Sequence, residues 1–160
     1  MKKLSIILGA SVVVLAGCGG MASSSPDTQA TILEQGQHGA LKDVILEQYH
    51  NQADFKAGWD KLYAGQSAPD MPNVDFTKET VVLYSIGEHT SGGYKARIIK
   101  AQPGVGAFEI GFEVTIPGLG CHTSTQEITR PFIMVSIPTT TDATMDDPVQ
   151  RRQADCTANK

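Results

Sequence analysis

The sequence predicts an α+β domain, mainly antiparallel β-sheet in a sandwich-like or curled arrangement, with one short amphipathic helix. Three observations carry this. Phe108, Ile110, Phe112, Val114 and Ile116 alternate with Glu109, Gly111, Glu113 and Thr115, the pattern of a strand with one dry face and one wet face. Residues 80–86 (TVVLYSI) form a run of β-branched and aromatic residues of strand length, bounded by the polar Thr77-Lys78-Glu79 and by Gly87, which reads as a central strand. A helical period is convincing in one place, residues 52–64, where Phe55, Trp59, Leu62 and Tyr63 share a face.

Taken from the start, residues 1–17 carry two lysines, an apolar run from Leu4 to Leu15 and small residues before Cys18, the layout of a secretory signal peptide. The run is short of the about 20 residues a membrane-spanning helix needs. Leu15-Ala16-Gly17-Cys18 resembles a bacterial lipobox, which implies cleavage before Cys18, a diacylglycerol thioether on its sulfur and an acyl chain such as palmitate on the new amino terminus. Several chains on one residue give stable anchoring where one would be marginal. Gly19, not aspartate, follows the cysteine, so in a Gram-negative host the expectation is an outer-membrane lipoprotein facing the periplasm, and otherwise a cell-membrane lipid anchor. Residues 18–28 are small and polar, as a flexible tether would be.

With Cys18 committed to lipid, Cys121 and Cys156 remain of the three cysteines. In an oxidising compartment they are expected to form a disulfide. Closing a loop of about 35 residues would stabilise the fold by roughly 3 to 4 kcal/mol on the loop-entropy model. The formal net charge of −4 becomes more negative once Lys2 and Lys3 are removed. There is no basic patch of the kind nucleic acid or an anionic lipid surface requires.

Residues 29–35 and 43–49 are two short strand candidates around Gly36-Gln37-His38-Gly39. His38 and His50 stand in loop or edge positions without a second ligand at metal-binding spacing. Asn51 caps the helix with Asp54 three residues on, a variant of the capping box. Gly58 weakens the helix, Gly65 ends it, and residues 66–73 (QSAPDMPN) form a loop. After residues 80–86, the segment 88–93 (EHTSGG) with its paired glycines suits a tight reversal. This predicts a β-hairpin with an ordered, exposed tip, its second arm at residues 94–100. A second turn at 102–106 leads into the alternating strand, in which Glu109 and Glu113 are expected to face solvent rather than serve as an acid–base pair.

Pro117-Gly118-Leu119-Gly120 turns the chain, and residues 125–137 return as a strand. Pro131 lacks a ladder donor, which places this strand at an edge or bends it. Pro138 is expected to close the regular structure. Residues 139–160 read as a polar tail, drawn back to the Gly120 turn by the disulfide. Arg151-Arg152 is a solvated pair or a dibasic protease site.

No phosphate-binding glycine loop, GxSxG elbow or zinc motif is present. Cys121 precedes His122, but neighbours on a strand point to opposite faces, so adjacency makes no dyad. These readings predict no catalytic residue, no metal and no cofactor. The partner-binding candidates are Glu88, His89, Thr90, Ser91, Gly92, Gly93 and Tyr94.

The order Trp59 on a short helix, Val74-Asp75-Phe76, Thr80 to Ile86, Gly87, Ser91-Gly92-Gly93-Tyr94 and later Arg130-Pro131-Phe132 resembles the C-terminal domain family of the protease complex subunit PrcB. The resemblance covers about residues 29–138. It implies a small β-rich domain with one helix, without enzymatic activity, that assembles or stabilises an exported protease complex. The Cys121 and Cys156 pair and the long tail lie outside that pattern. Two alternatives stand beside it. One is a protease inhibitor, because Thr90 to Tyr94 is loosely similar to the loop that chagasin-type cysteine-protease inhibitors insert into the active site. The other is a structural envelope lipoprotein with no protease partner.

Overall fold

The computed structural model describes residues 28–118, 121, 127–145 and 149–154. The signal peptide, Cys18, all of the tether but Thr28, Cys156 and the Leu119-Gly120 half of the turn lie outside the described residues. The elements are β1 (Thr31–Gly36), β2 (Val44–Tyr49), α1 (Gln52–Leu62), β3 (Thr80–Ile86), β4 (Lys95–Pro103), β5 (Phe108–Ile116), β6 (Phe132–Ile137), β7 (Ala143–Met145) and β8 (Gln150–Gln153).

They form two sheets. The first has the order β1-β6-β3-β2, antiparallel throughout. In the second, β5 is flanked by antiparallel β4 on one side and by β7 and β8 on the other. Both of the latter pair with β5 in parallel, β7 along Phe108 to Ile110 and β8 along Glu113 to Ile116.

The helix covers the outer face of the first sheet, and the second sheet covers its inner face. Val82, Tyr84 and Ile86 of β3 and Ile133, Val135 and Ile137 of β6 pack against Phe108, Ile110, Phe112 and Val114 of β5. Val81, Leu83, Phe132 and Met134 pack instead with Phe55, Trp59 and Leu62 of α1. Two covered faces favour near-continuous apolar runs, and β3 and β6 are buried along their whole length, with Thr80, Ser85 and Ser136 as buried polar exceptions.

Local chemistry sets the helix as expected. The Asn51 side chain accepts from the Asp54 N–H at 2.9 Å, satisfying a donor that the first turn leaves open. Phe55 meets Trp59 edge-on at 6.0 Å between centroids and Phe76 at 5.8 Å. Gly65, at φ 75°, turns the chain away after the helix.

Four expectations change. β3 and the strand after it do not form a hairpin: β3 pairs with β2 and β6, while β4 lies in the other sheet against β5. Residues 87–94 therefore cross from one sheet to the other. β6 is an interior strand, and Pro131 stands just before its first residue, where the missing N–H removes no ladder bond. Regular structure does not end at Pro138, because β7 and β8 lie in the tail and complete the second sheet. Glu113 does not face open solvent. It is 8% exposed and accepts from Nε of Arg97, its cross-strand neighbour, at 2.8 Å.

The irregularity between Ile98 and Lys100 explains how β4 serves both faces. Ala96 and Ile98 pack inward before it and Ala101 inward after it, so the extra residue resets the alternation. Arg97 and Lys100 then both reach the outer face, where they meet Glu113 and Glu109, each at 2.8 Å.

Candidate functional site

Three stretches of chain converge where β3 ends. Gly87 has φ 79°, and a Cβ there would come within 3.0 Å of the Lys42 carbonyl oxygen, so both the backbone angle and the close approach favour glycine. The next residue bonds to that same oxygen, Glu88 N–H to Lys42 O at 2.9 Å. His89 and Thr129 exchange both backbone bonds, at 2.8 and 2.9 Å. Arg130 in turn donates its N–H to the Gln37 carbonyl at 2.7 Å and accepts from Gly39 at 3.1 Å.

Side chains reinforce this lacing. Nε and Nη2 of Arg130 donate to one oxygen of Glu88, at 2.9 and 2.6 Å. Thr129 Oγ1 donates to the Ser91 carbonyl at 2.9 Å. The His89 ring stacks on Tyr94, with centroids 3.7 Å apart and planes 11° from parallel. Its Nε2 lies 3.2 Å from the Ile86 carbonyl oxygen, which can only accept, so Nε2 carries the proton of that bond. The loop is held at Glu88, His89, Ser91 and Tyr94, while Thr90 and Gly93 are exposed. Ile128, next to Thr129, is exposed to 54% and supplies an apolar group beside them.

All seven predicted binding residues thus lie in one ordered segment, but it is a strapped crossing and not a projecting hairpin tip. Sequence reasoning missed Thr129 as a fixing residue and gave Arg130 no place at the site. An ion pair between Glu88 and Arg130 spans 42 positions and leaves no local signal.

His50, Thr80 and Asp142 have the look of a relay: His50 Nδ1 is 3.1 Å from Thr80 Oγ1, and its Nε2 is 2.8 Å from Asp142 Oδ1. Thr80 is fully buried, and its hydroxyl proton goes to the Thr139 carbonyl at 2.7 Å. The group therefore ties β3 to the turn after β6, and its hydroxyl is closed to a substrate. Among the described residues no group of three or more His, Cys, Asp or Glu side chains is arranged to hold a metal ion.

Cys121 Sγ comes within 3.8 Å of the carbonyl oxygen of Ala154, two positions before Cys156. The Ala154 N–H in turn bonds the Ile116 carbonyl at 2.8 Å.

The PrcB C-terminal family model matches residues 80–138, from the first residue of β3 to the residue after β6. The resemblance holds over this stretch, which contains the strapped loop and its Thr129 and Arg130 partners. The helix and Val74-Asp75-Phe76 lie outside the match. No curated protein and no solved structure gives a match.

Proposed function

We propose that this protein is a lipid-tethered, non-enzymatic accessory subunit that helps to assemble or stabilise an exported protease complex. The observation that carries this reading is the match of residues 80–138 to the PrcB C-terminal family, a family named for a protease complex subunit. The geometry supports a binding role for the loop within the match. Backbone bonds at Glu88 and His89 and the Glu88–Arg130 pair fix its shape before any partner arrives, and preorganisation lowers the entropy lost on binding. Thr90, Gly93 and Ile128 are the groups offered to a partner.

The anchor in this proposal is acylated Cys18, with the domain facing the periplasm from the outer membrane in a Gram-negative host. A disulfide between Cys121 and Cys156 belongs to the same proposal, supported by the approach of Cys121 to Ala154. The inhibitor alternative rests on the loose similarity of Thr90 to Tyr94 to an inhibitory loop. These residues lie in the crossing between the sheets, and the effect on protease turnover separates that reading from this one.

The test is a pull-down from the native envelope with wild type and Thr90→Arg, followed by mass spectrometry. Thr90 is exposed, so the variant is expected to keep the wild-type melting temperature. A protease retained by wild type and lost by the variant, and longer-lived with this protein than without it, is the expected result. Retention of no protease by wild type would sink the proposal, and a lowered turnover of the retained protease would replace helper by inhibitor.

A further inference from the structure

Beside the strapped loop, the two sheets part to leave a cleft of about 600 Å³, within the usual range for small-molecule sites. Its apolar walls include Val44 of β2, Ile86 of β3, and Val114 and Ile116 of β5. Val44 is 69% exposed, so the mouth is itself apolar. At its other end the seam between β2 and the second sheet is shut, because the Gln48 amide donates to the Ala143 carbonyl and accepts from its N–H, at 2.9 and 2.8 Å.

Two polar groups single out the open end. Tyr84 is 5% exposed, and its ring is held by stacking on Phe112, with centroids 4.8 Å apart and planes 23° from parallel. Its hydroxyl has no hydrogen-bond partner among the described residues, yet no sealed side-chain oxygen there lacks one. The hydroxyl therefore opens on the cleft. Arg151 of β8 also lines the cleft and makes no ion pair among the described residues. It is near enough for its charge to act on the Tyr84 phenol, although burial dominates and pushes that phenol up, keeping it a donor. Among the described residues that line the cleft there is no carboxylate.

We propose that this cleft binds an aliphatic carboxylate, whose oxygens accept from the Tyr84 hydroxyl and the Arg151 guanidinium while its hydrocarbon chain lies against Ile86, Val114 and Ile116. One guanidinium with one phenol suits a single negative charge, and the remaining apolar wall calls for a hydrocarbon. His89 and Tyr94 form the wall toward the loop, so an occupied cleft touches the residues that fix the loop's two ends. This goes beyond the accessory-subunit reading and does not depend on it.

The experiment is calorimetric titration of full-length protein in lipid nanodiscs with octanoate, with empty nanodiscs as the blank and acetate and octyltrimethylammonium as probes of chain and charge. Octanoate should bind saturably, and acetate and the cation should not. Arg151→Gln should weaken octanoate about tenfold or more, and Tyr84→Phe by a few-fold to about tenfold. Arg151 is exposed, so that variant decides the matter if Tyr84→Phe fails to fold. Absence of saturable octanoate binding, equal binding by Arg151→Gln, or equal affinity for the cation would overturn the proposal.

Discussion

Gly58 sits inside α1, where glycine is about 1 kcal/mol worse than alanine, yet a Cβ at this position would overlap Oη and Cζ of Tyr49. Tyr49 is buried and donates to Glu47 Oε2 at 2.6 Å, so its ring cannot swing aside without losing that bond. Gly58→Ala is therefore expected to destabilise the fold by about 1 to 3 kcal/mol through overpacking, despite its better propensity. A lower urea midpoint at unchanged slope would show this, and a raised midpoint would refute it. Asp75 gives a prediction of a different kind. Its carboxylate accepts from the Thr77 N–H at 3.1 Å and meets Lys78 Nζ at 2.8 Å, and the Lys78 and Thr77 bonds hold its pKa down at about 2. A carboxylate lowered on folding stabilises the native state above its unfolded pKa, near 3.9, and loses that contribution as pH falls toward the folded value. The melting temperature of wild type should accordingly drop more steeply between about pH 4 and pH 2 than that of Asp75→Asn. Parallel profiles would remove Asp75 from the acid response.

Elements that announce themselves locally were legible in the sequence, and the pairing between them was not. The helix, its cap and its aromatic face are set by residues 51–63 alone, and Thr80–Ile86 reads as a central strand from its composition. The segment after β3 is different, because a glycine-rich reversal has the same local chemistry whether the next strand pairs back or enters another sheet. The choice was made far away, by β2 and β6 taking both edges of β3. β7 and β8 were missed because they are short and carry polar residues such as Arg151 and Arg152, and only the exposed edge of β5 gives them a partner. At the candidate site the loop residues were found by their turn chemistry, whereas Thr129, Arg130, Tyr84 and Arg151 owe their roles to neighbours distant in sequence. Gln48 is the sharpest case: a polar residue between Glu47 and Tyr49, it fastens β2 to Ala143 across the sheets. Ala143 is 6% exposed, so Gln48→Ala leaves a donor and an acceptor short of partners, at about 1 to 3 kcal/mol for each that stays dry. Hydrogen exchange should speed up selectively at the Ala143 amide, and uniform exchange across all strands would show that the seam has no separate role.

At the scale of the whole molecule, the helix and the first sheet are tied together by burial, but the second sheet is finished only by the last part of the chain. β8 lies along Glu113 to Ile116, its four residues are exposed, and little apolar area holds it there. Ala154 then bonds back to Ile116 and lies beside Cys121, so a disulfide from Cys121 to Cys156 would clamp the strand at the point where its own packing is weakest. Because such a link restricts the unfolded chain, removing it with Cys156→Ser is expected to lower stability by roughly 3 kcal/mol. The loss should be uneven in the native state: amides of β8 and of the adjoining end of β5 should exchange faster, while those of β3 and β6, buried on both faces, should still open only with global unfolding. Peptide mapping without reduction should show Cys121 joined to Cys156. Should both cysteines instead be alkylated in the folded, unreduced protein, the clamp would be excluded, and β8 would have to be held by its ladder to β5 alone.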